Sequence, residues 1–197
     1  MRKWLIPLIV IIVIVGGIFF WVVGIKNGAI AQKQAVERTW GDVETSYQRR
    51  NDLIGNLVKT VEGAANFERG TLTDVIEARA KATAVSIDPA NITPEQLAQF
   101  QQAQNSVSGA LSRLLVSVER YPELKANQNF LKLQDELAST ENTIQTARTR
   151  YNESVESYNN YVLRFPNSML LSEYKEKPYF KSVEGADKPT EVNFDIK

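Results

Sequence analysis

The densest group of side chains that could do chemistry lies in residues 47–52, where two arginines and an aspartate fall within four positions. A guanidinium binds carboxylate or phosphate oxygens through paired hydrogen bonds, so this composition is typical of anion sites and of ion pairs. Two glutamates and one arginine farther along the chain are candidate neighbours. The candidate ligand or structural cluster comprises Arg49, Arg50, Asp52, Glu119, Glu141 and Arg148.

Arg50 occupies a heptad position at which an apolar residue is expected, so its side chain should be buried. A buried arginine needs a carboxylate partner, because an unpaired buried charge is costly, and Asp52, Glu119 or Glu141 could supply one. One interpretation is a structural ion pair that fixes the register of the helices. The other is a site between helices for a small anion or a lipid headgroup, since bundles often place sites on facing side chains.

Catalysis has little support in the composition. The chain contains 0 histidines and 0 cysteines, which removes the commonest metal ligands and general bases. Dimetal helical bundles combine glutamates with a Glu-x-x-His motif, so the glutamates alone do not predict a metal site. The sequence also lacks a phosphate-binding GxxxxGK[ST] loop, a GxSxG elbow and an HExxH motif. No catalytic residue, cofactor or metal is predicted, and we expect a protein that is not an enzyme.

The element that must position this cluster begins with Trp4–Ile25, a run of 22 residues without a charge. As a helix this run would be about 33 Å long, which matches a hydrocarbon core of about 30 Å. A cleavable signal peptide is the alternative, because Arg2 and Lys3 precede the run. The run exceeds the roughly 7–15 apolar residues of a signal peptide, so an uncleaved single transmembrane helix is predicted.

The orientation of this helix depends on a small difference in positive charge. Arg2, Lys3 and the amino terminus lie on one side, and Lys26, Lys33 and Arg38 lie on the other. The tighter N-terminal cluster slightly favours a cytoplasmic amino terminus and places the rest of the chain on the extracytoplasmic side. The formal net charge of +0 provides no basic field for nucleic acid, which is therefore not an expected partner.

Apolar residues spaced three and four apart predict amphipathic helices after the transmembrane run. No proline separates that run from the first of them, so the two should be continuous. Thr71 or Thr73 is a candidate N-cap for the second helix, Thr93 for the third and Asn127 for the fourth. The predicted helices span about residues 31–65, 71–84, 94–121 and 127–165.

Short connections between such helices predict an all-α protein, with an N-terminal transmembrane helix followed by an antiparallel three- to four-helix bundle. The predicted organisation has four parts: an N-terminal tail at residues 1–3, the transmembrane helix at 4–25, the bundle at 26–166 and the C-terminal tail at 167–197. The C-terminal tail is expected to be partly disordered, because it loses the periodicity and contains Pro178, Gly185 and Pro189.

Several stretches in this order resemble the LemA family of bacterial membrane proteins. They are WxxVxxxYQRRxDLIxNLV at residues 40–58, ExYPxLKA at 119–126, TExxIxxARxxYN at 140–152, and residues 158–166, which begin Tyr-Asn and end Phe-Pro. The resemblance implies one transmembrane helix and an antiparallel helical domain, and it supplies no catalytic residues. Gly55 stands where members commonly have proline, and residues 66–68 lack a histidine often seen just before the glutamate.

The expected function is a single-pass scaffold or adaptor in the bacterial inner membrane, which binds other membrane or envelope proteins. A homo-oligomer is the alternative partner that the sequence leaves open. The alternative is a binding module for a small anionic ligand or lipid headgroup at the arginine cluster. A hydrolase or metal enzyme ranks third, because the residues for that chemistry are missing.

Overall fold

The computed structural model describes residues 4–63 and 67–181. These residues form helices and connecting segments, with no strand among them. The predicted all-α fold is confirmed. The helices are α1 (Leu5–Glu62), α2 (Arg69–Ala84), α3 (Pro94–Val118), α4 (Pro122–Lys125), α5 (Gln128–Leu163) and α6 (Asn167–Leu170).

Helix α1 joins the apolar N-terminal run to the first bundle helix without a break. Its 58 residues make it about 87 Å long. Its large apolar side chains from Leu5 to Phe20 are exposed, and Ile25 is its first buried residue. In the described part of the chain, α1 is the helix that is long and apolar enough to cross a membrane. It ends at Glu62, and the last residues of the predicted range, 64 and 65, lie outside the described residues.

The predicted caps of α3 and α5 are confirmed. The Gln96 amide donates to Thr93 Oγ1 at 3.2 Å, and the Thr93 amide donates to Gln96 Oε1 at 3.0 Å, which completes a capping box. Asn127 Oδ1 accepts from the Phe130 amide at 3.2 Å at the start of α5. These side chains satisfy amides that have no partner inside the helix, and so they fix where each helix begins.

The predicted cap of α2 is wrong. The helix begins at Arg69, after Glu68, and no side chain caps it. Thr71 and Thr73 instead donate their hydroxyl hydrogens to the backbone carbonyls of Glu68 and Arg69, at 3.4 Å and 3.0 Å. A threonine hydroxyl can bond to a carbonyl three or four residues earlier inside a helix, and that local bond competes with capping.

The long helices alternate in direction, as predicted for an antiparallel bundle. Helix α5 packs against the part of α1 that follows the apolar run, and α2 packs against α3. At one end of the α1–α5 pair the Tyr161 hydroxyl donates to the Ile25 carbonyl at 3.1 Å, and nearer the other end Arg50 lies 3.4 Å from Glu141. The far end of α5 therefore lies beside the point where α1 leaves its apolar run.

Two hydrophobic clusters fill the bundle, one above the other. The cluster nearer the apolar run is built around Trp40, whose ring lies 5.4 Å from that of Phe100 and 5.4 Å from that of Tyr151. The distal cluster includes Leu57 of α1 and Leu114 of α3, and both residues are 0 % exposed. A polar layer separates the two clusters along the bundle axis, and it contains Arg50, which lies 3.4 Å from Glu141.

The chain after α6 packs against the bundle through residue 181. We call residues 171–181 the C-terminal segment. Phe180 in this segment is 5 % exposed and stacks on Trp40 at a ring separation of 5.9 Å. The packed bundle therefore extends past residue 166, where the sequence placed its boundary. Residues 182–197 of the predicted tail lie outside the described residues.

Candidate functional site

The polar layer is formed by side chains from three helices at one level of the bundle. Arg50 of α1, Gln104 of α3 and Thr140 of α5 are 3 %, 4 % and 2 % exposed. Each lies at a heptad position otherwise held by an apolar residue, so the periodicity that buries the two clusters also buries these three. A buried polar layer is tolerated when its members satisfy one another's hydrogen bonds.

The guanidinium of Arg50 is held by α3 and α5 together. Its Nη2 donates to Gln104 Oε1, and its Nη1 donates to Ser108 Oγ at 3.3 Å and to Glu141 Oε2 at 3.4 Å. The Tyr47 ring lies below the guanidinium, at 4.8 Å from its carbon. Of the three carboxylates proposed from the sequence, Glu141 is the one that pairs with Arg50.

This ion pair joins a buried cation to a largely solvated anion. The Arg50 side chain is 4 % exposed and that of Glu141 is 59 % exposed. Solvent screens such a carboxylate, so most of what holds Arg50 comes from Gln104, Ser108 and the Tyr47 ring. Burial raises the pKa of Tyr47, although the nearby positive charges of Arg148 and Arg50 act to lower it.

Two polar atoms at this level have no hydrogen-bond partner within the described residues. They are Arg50 Nε and Asn51 Oδ1, both buried. The backbone carbonyl of Asn51 accepts from Arg79 Nε at 2.9 Å, which ties α2 to α1. A groove of about 440 Å³ opens beside the layer, and Tyr47, Asn51 and Gln104 contribute to its lining.

The other predicted site residues do not join Arg50. Arg49 and Asp52 are exposed on α1, and Asp52 accepts from Gln48 Nε2 at 3.0 Å. Glu119 lies just past the distal end of α3 and forms an ion pair with Lys125.

Arg148 binds the C-terminal segment instead of the layer. Its guanidinium carbon lies 4.9 Å from the Phe180 ring centroid, and its Nη2 donates to the Lys181 carbonyl at 3.0 Å. The structure thus brings together two of the six predicted residues, Arg50 and Glu141.

The C-terminal segment is held by two asparagines of α5 whose role the sequence pattern does not indicate. Asn152 donates to the Phe180 carbonyl at 3.1 Å and accepts from the Phe180 amide at 2.9 Å. Asn159 makes the same pair of bonds with Lys177, both at 2.9 Å. Each side-chain amide thereby satisfies the backbone N–H and C=O of one residue, as a neighbouring strand would. The sequence feature that could have indicated this attachment is the pair of asparagines seven residues apart on one face of α5.

Lys177 places a cation inside this contact. It is 5 % exposed, and its Nζ donates to the carbonyls of Pro89 and Ala90 at 3.0 Å each. Burial lowers the pKa of Lys177, and the positive charge of Lys33 lowers it further. Because both acceptors belong to the connection between α2 and α3, Lys177 ties that connection to the C-terminal segment.

An exposed apolar helix that continues into a bundle with an internal polar layer defines a membrane-associated, all-helical protein. Residues 39–194 match the model of the LemA family, and the chain belongs to that family. The match confirms the resemblance drawn from the motifs. It begins after the apolar run and covers the bundle from residue 39 onward.

Two kinds of relative are similar to this chain. Protein LemA of Metamycoplasma hominis is 27 % identical over 150 residues, which cover 76 % of this chain and 65 % of that protein. Magnetosome protein MamQ 2 of Paramagnetospirillum magneticum is 24 % identical over 182 residues, which cover 83 % and 67 %. Magnetosome protein MamQ of Magnetospirillum gryphiswaldense has the same identity and coverage. The chain spans about two thirds of the length of these relatives.

Proposed function

We propose that this protein is a single-pass scaffold or adaptor of the bacterial inner membrane, whose bundle presents a surface to other membrane or envelope proteins. The observation that carries the proposal is the continuity of α1, which makes the apolar run and the first bundle helix one rigid element. A flexible linker would let the bundle tumble, whereas a helix transmits orientation. The bundle is thereby held upright at the membrane surface.

Contacts at the exit from the apolar run reinforce this connection. The Tyr161 hydroxyl binds the Ile25 carbonyl, and Lys26 lies 3.9 Å from Glu173. From Ile25 to Glu62 the helix rises by about 57 Å, so the distal end lies well clear of a membrane surface. Such a support suits a protein that must hold a binding surface clear of the membrane and in a fixed direction.

The interior supports a structural role for the polar layer. The guanidinium of Arg50 is buried and already has acceptors on two helices. In the described part of the chain, no three acidic side chains are grouped so that they could hold a metal ion. In this proposal, partner proteins therefore bind the outer surface of the bundle, and that surface lies on the extracytoplasmic side. The proposal includes no catalytic step.

Photocrosslinking in intact membranes tests the scaffold. A photoreactive amino acid replaces Arg49 or Asp52, which are exposed on α1, and a topology reporter is fused after Lys197. We expect discrete crosslinked partners and an extracytoplasmic reporter. Absence of any specific partner would overturn the scaffold, and a cytoplasmic reporter would overturn the proposed side.

Two insertions of equal length test whether orientation matters. Seven alanines placed between Gly24 and Ile25 add about two helical turns and keep the bundle's direction, whereas seven Gly and Ser residues at the same point release it. Crosslinks should persist with alanine and decrease with Gly-Ser, while circular dichroism shows a folded helical bundle in both proteins. Equal crosslinking by the two variants would show that the rigid connection is unnecessary.

The alternative proposal, an anion or lipid-headgroup site at the arginine cluster, makes a different prediction. Exposed Arg49 and buried Arg50 would both be required for binding. Titration of the full-length protein with inorganic phosphate and with phosphatidylglycerol micelles tests it. Binding that both Arg49→Gln and Arg50→Met abolish in folded protein would favour this alternative over a structural layer.

A further inference from the structure

The bundle carries exposed apolar side chains at its membrane-facing end. Leu163, Phe165 and Met169 are 53 %, 79 % and 74 % exposed, and all three lie within seven residues. Single exposed apolar residues are ordinary on a protein surface, but several large ones grouped at one end indicate contact with an apolar partner. We call residues 163–169 the apolar tip.

The position of the apolar tip identifies that partner. The Tyr161 hydroxyl contacts the Ile25 carbonyl, so Tyr161 lies level with the end of the apolar run. Helix α5 is antiparallel to α1, and beyond Tyr161 it therefore continues toward the membrane. Helix α5 continues for two residues beyond Tyr161, Arg164 is extended, and Phe165 follows in a turn, which places Phe165 several ångströms past Tyr161, at most about 10 Å. That depth matches the last turns of the apolar run.

The polar residues of the apolar tip also suit the boundary between lipid and water. Arg164 is exposed, and its guanidinium carbon lies 5.0 Å from the Tyr161 ring centroid. Lys26 lies on α1 near the same level, with its side chain 52 % exposed. Cations beside large apolar side chains are typical of segments that rest in the headgroup layer.

We propose that the apolar tip inserts Leu163, Phe165 and Met169 into the interfacial layer of the bilayer that α1 enters. The bundle then has a second point of membrane contact beside its transmembrane helix, and this second contact restrains rotation about α1. The inference rests on the proposed membrane anchor. It adds a lipid-binding surface formed by a part of the chain distant in sequence from that anchor.

Site-specific fluorescence in nanodiscs tests the insertion. The chain has 0 cysteines, so a single introduced cysteine is the only thiol to label. The full-length protein carries an environment-sensitive dye at Phe165→Cys or Met169→Cys, in nanodiscs of phosphatidylcholine and phosphatidylglycerol with nitroxide-labelled lipids. We expect a shift of the emission to shorter wavelength and a loss of intensity with nitroxides near the headgroups.

Two reference positions make the result decisive. Val116 is 72 % exposed near the distal end of α3, and Val13 lies in the apolar run and is 67 % exposed. A dye at Val116→Cys should show neither change, and one at Val13→Cys should be quenched by deep nitroxides. If Val13 is quenched while Phe165 and Met169 behave like Val116, the tip proposal is overturned and the anchor stands. If Val13 is not quenched, both proposals fail.

A shift of the dye emission without quenching by lipid nitroxides would mean that protein covers the tip, and this result would also overturn the proposal. A second variant tests the role of the native side chain. Phe165→Ser, combined with a dye at Met169→Cys, should reduce quenching while circular dichroism stays unchanged. Unchanged quenching in that variant would show that Phe165 does not hold the tip in the bilayer.

Discussion

Gly28 is the position at which one added methyl group should most directly separate the bundle from the end of the apolar run. A Cβ atom there would lie 2.1 Å from Tyr161 Oη and 2.6 Å from Tyr161 Cζ. The tyrosine ring would have to move, and its 3.1 Å hydrogen bond to the Ile25 carbonyl would break. Gly28→Ala should therefore destabilise the protein even though alanine favours helix.

The magnitude follows from two opposing contributions. Overpacking a close contact costs roughly 1–3 kcal/mol, and replacing glycine by alanine inside a helix gains roughly 0.5–1 kcal/mol. The net loss is therefore about 1 kcal/mol, which lowers the melting temperature of a protein this size by about 2–4 °C. Thermal unfolding of the full-length protein in detergent micelles, followed by far-ultraviolet circular dichroism, measures this change.

Gly41 is the matched control. It also lies inside α1, and a Cβ atom there meets nothing within 4 Å. Gly41→Ala should raise the melting temperature by about 1–4 °C, because only the helix-propensity gain remains. In a Tyr161→Ala background Gly28→Ala should likewise become stabilising. A Gly28→Ala variant that melts at or above the wild type would refute the steric clash, and so would an unchanged loss of stability from Gly28→Ala in the Tyr161→Ala background.

The remaining predictions concern the polar layer, the C-terminal segment and a helix cap. Arg50→Ala should lower the free energy of unfolding by roughly 2–4 kcal/mol through lost packing and hydrogen bonds, whereas Glu141→Gln should cost about 1 kcal/mol or less, as measured by urea unfolding. Equal costs would contradict this assignment. Burial lowers the pKa of Lys177, so the folded protein releases this proton at lower pH than the unfolded chain. Wild-type stability should therefore rise relative to Lys177→Met as pH increases from that lowered pKa toward about 10.4, and parallel pH profiles would contradict it. Thr93→Ala should cost about 1 kcal/mol in thermal unfolding, and the exposed mid-helix variant Thr149→Ala, with no cap to lose, should cost less.

Sequence periodicity predicted the helices well, because the apolar spacing that defines each helix is local. It also predicted that Arg50 would be buried. It did not select Glu141 over Asp52 or Glu119, since that choice depends on the register between helices about 90 residues apart in sequence. Two of the three hydroxyl or amide caps, Thr93 and Asn127, were identified correctly from residue type and position.

The C-terminal segment was the part that the pattern could not reveal. Its attachment depends on the side-chain amides of Asn152 and Asn159 bonding to backbone groups, and such bonds leave no periodic trace in the segment itself. Phe180, whose ring stacks on Trp40, occurs there as one aromatic among several. Only the folded arrangement distinguishes it from its exposed neighbour Tyr179.

Because α1 is unbroken, any tilt of its transmembrane part is transmitted to the whole bundle. A transmembrane helix tilts when its apolar length exceeds the local thickness of the bilayer. Over the roughly 57 Å from Ile25 to Glu62, a tilt of about 10° sweeps the distal end through about 10 Å. Changes in bilayer thickness too small to move a tethered domain would thus become large displacements at the far end of this molecule.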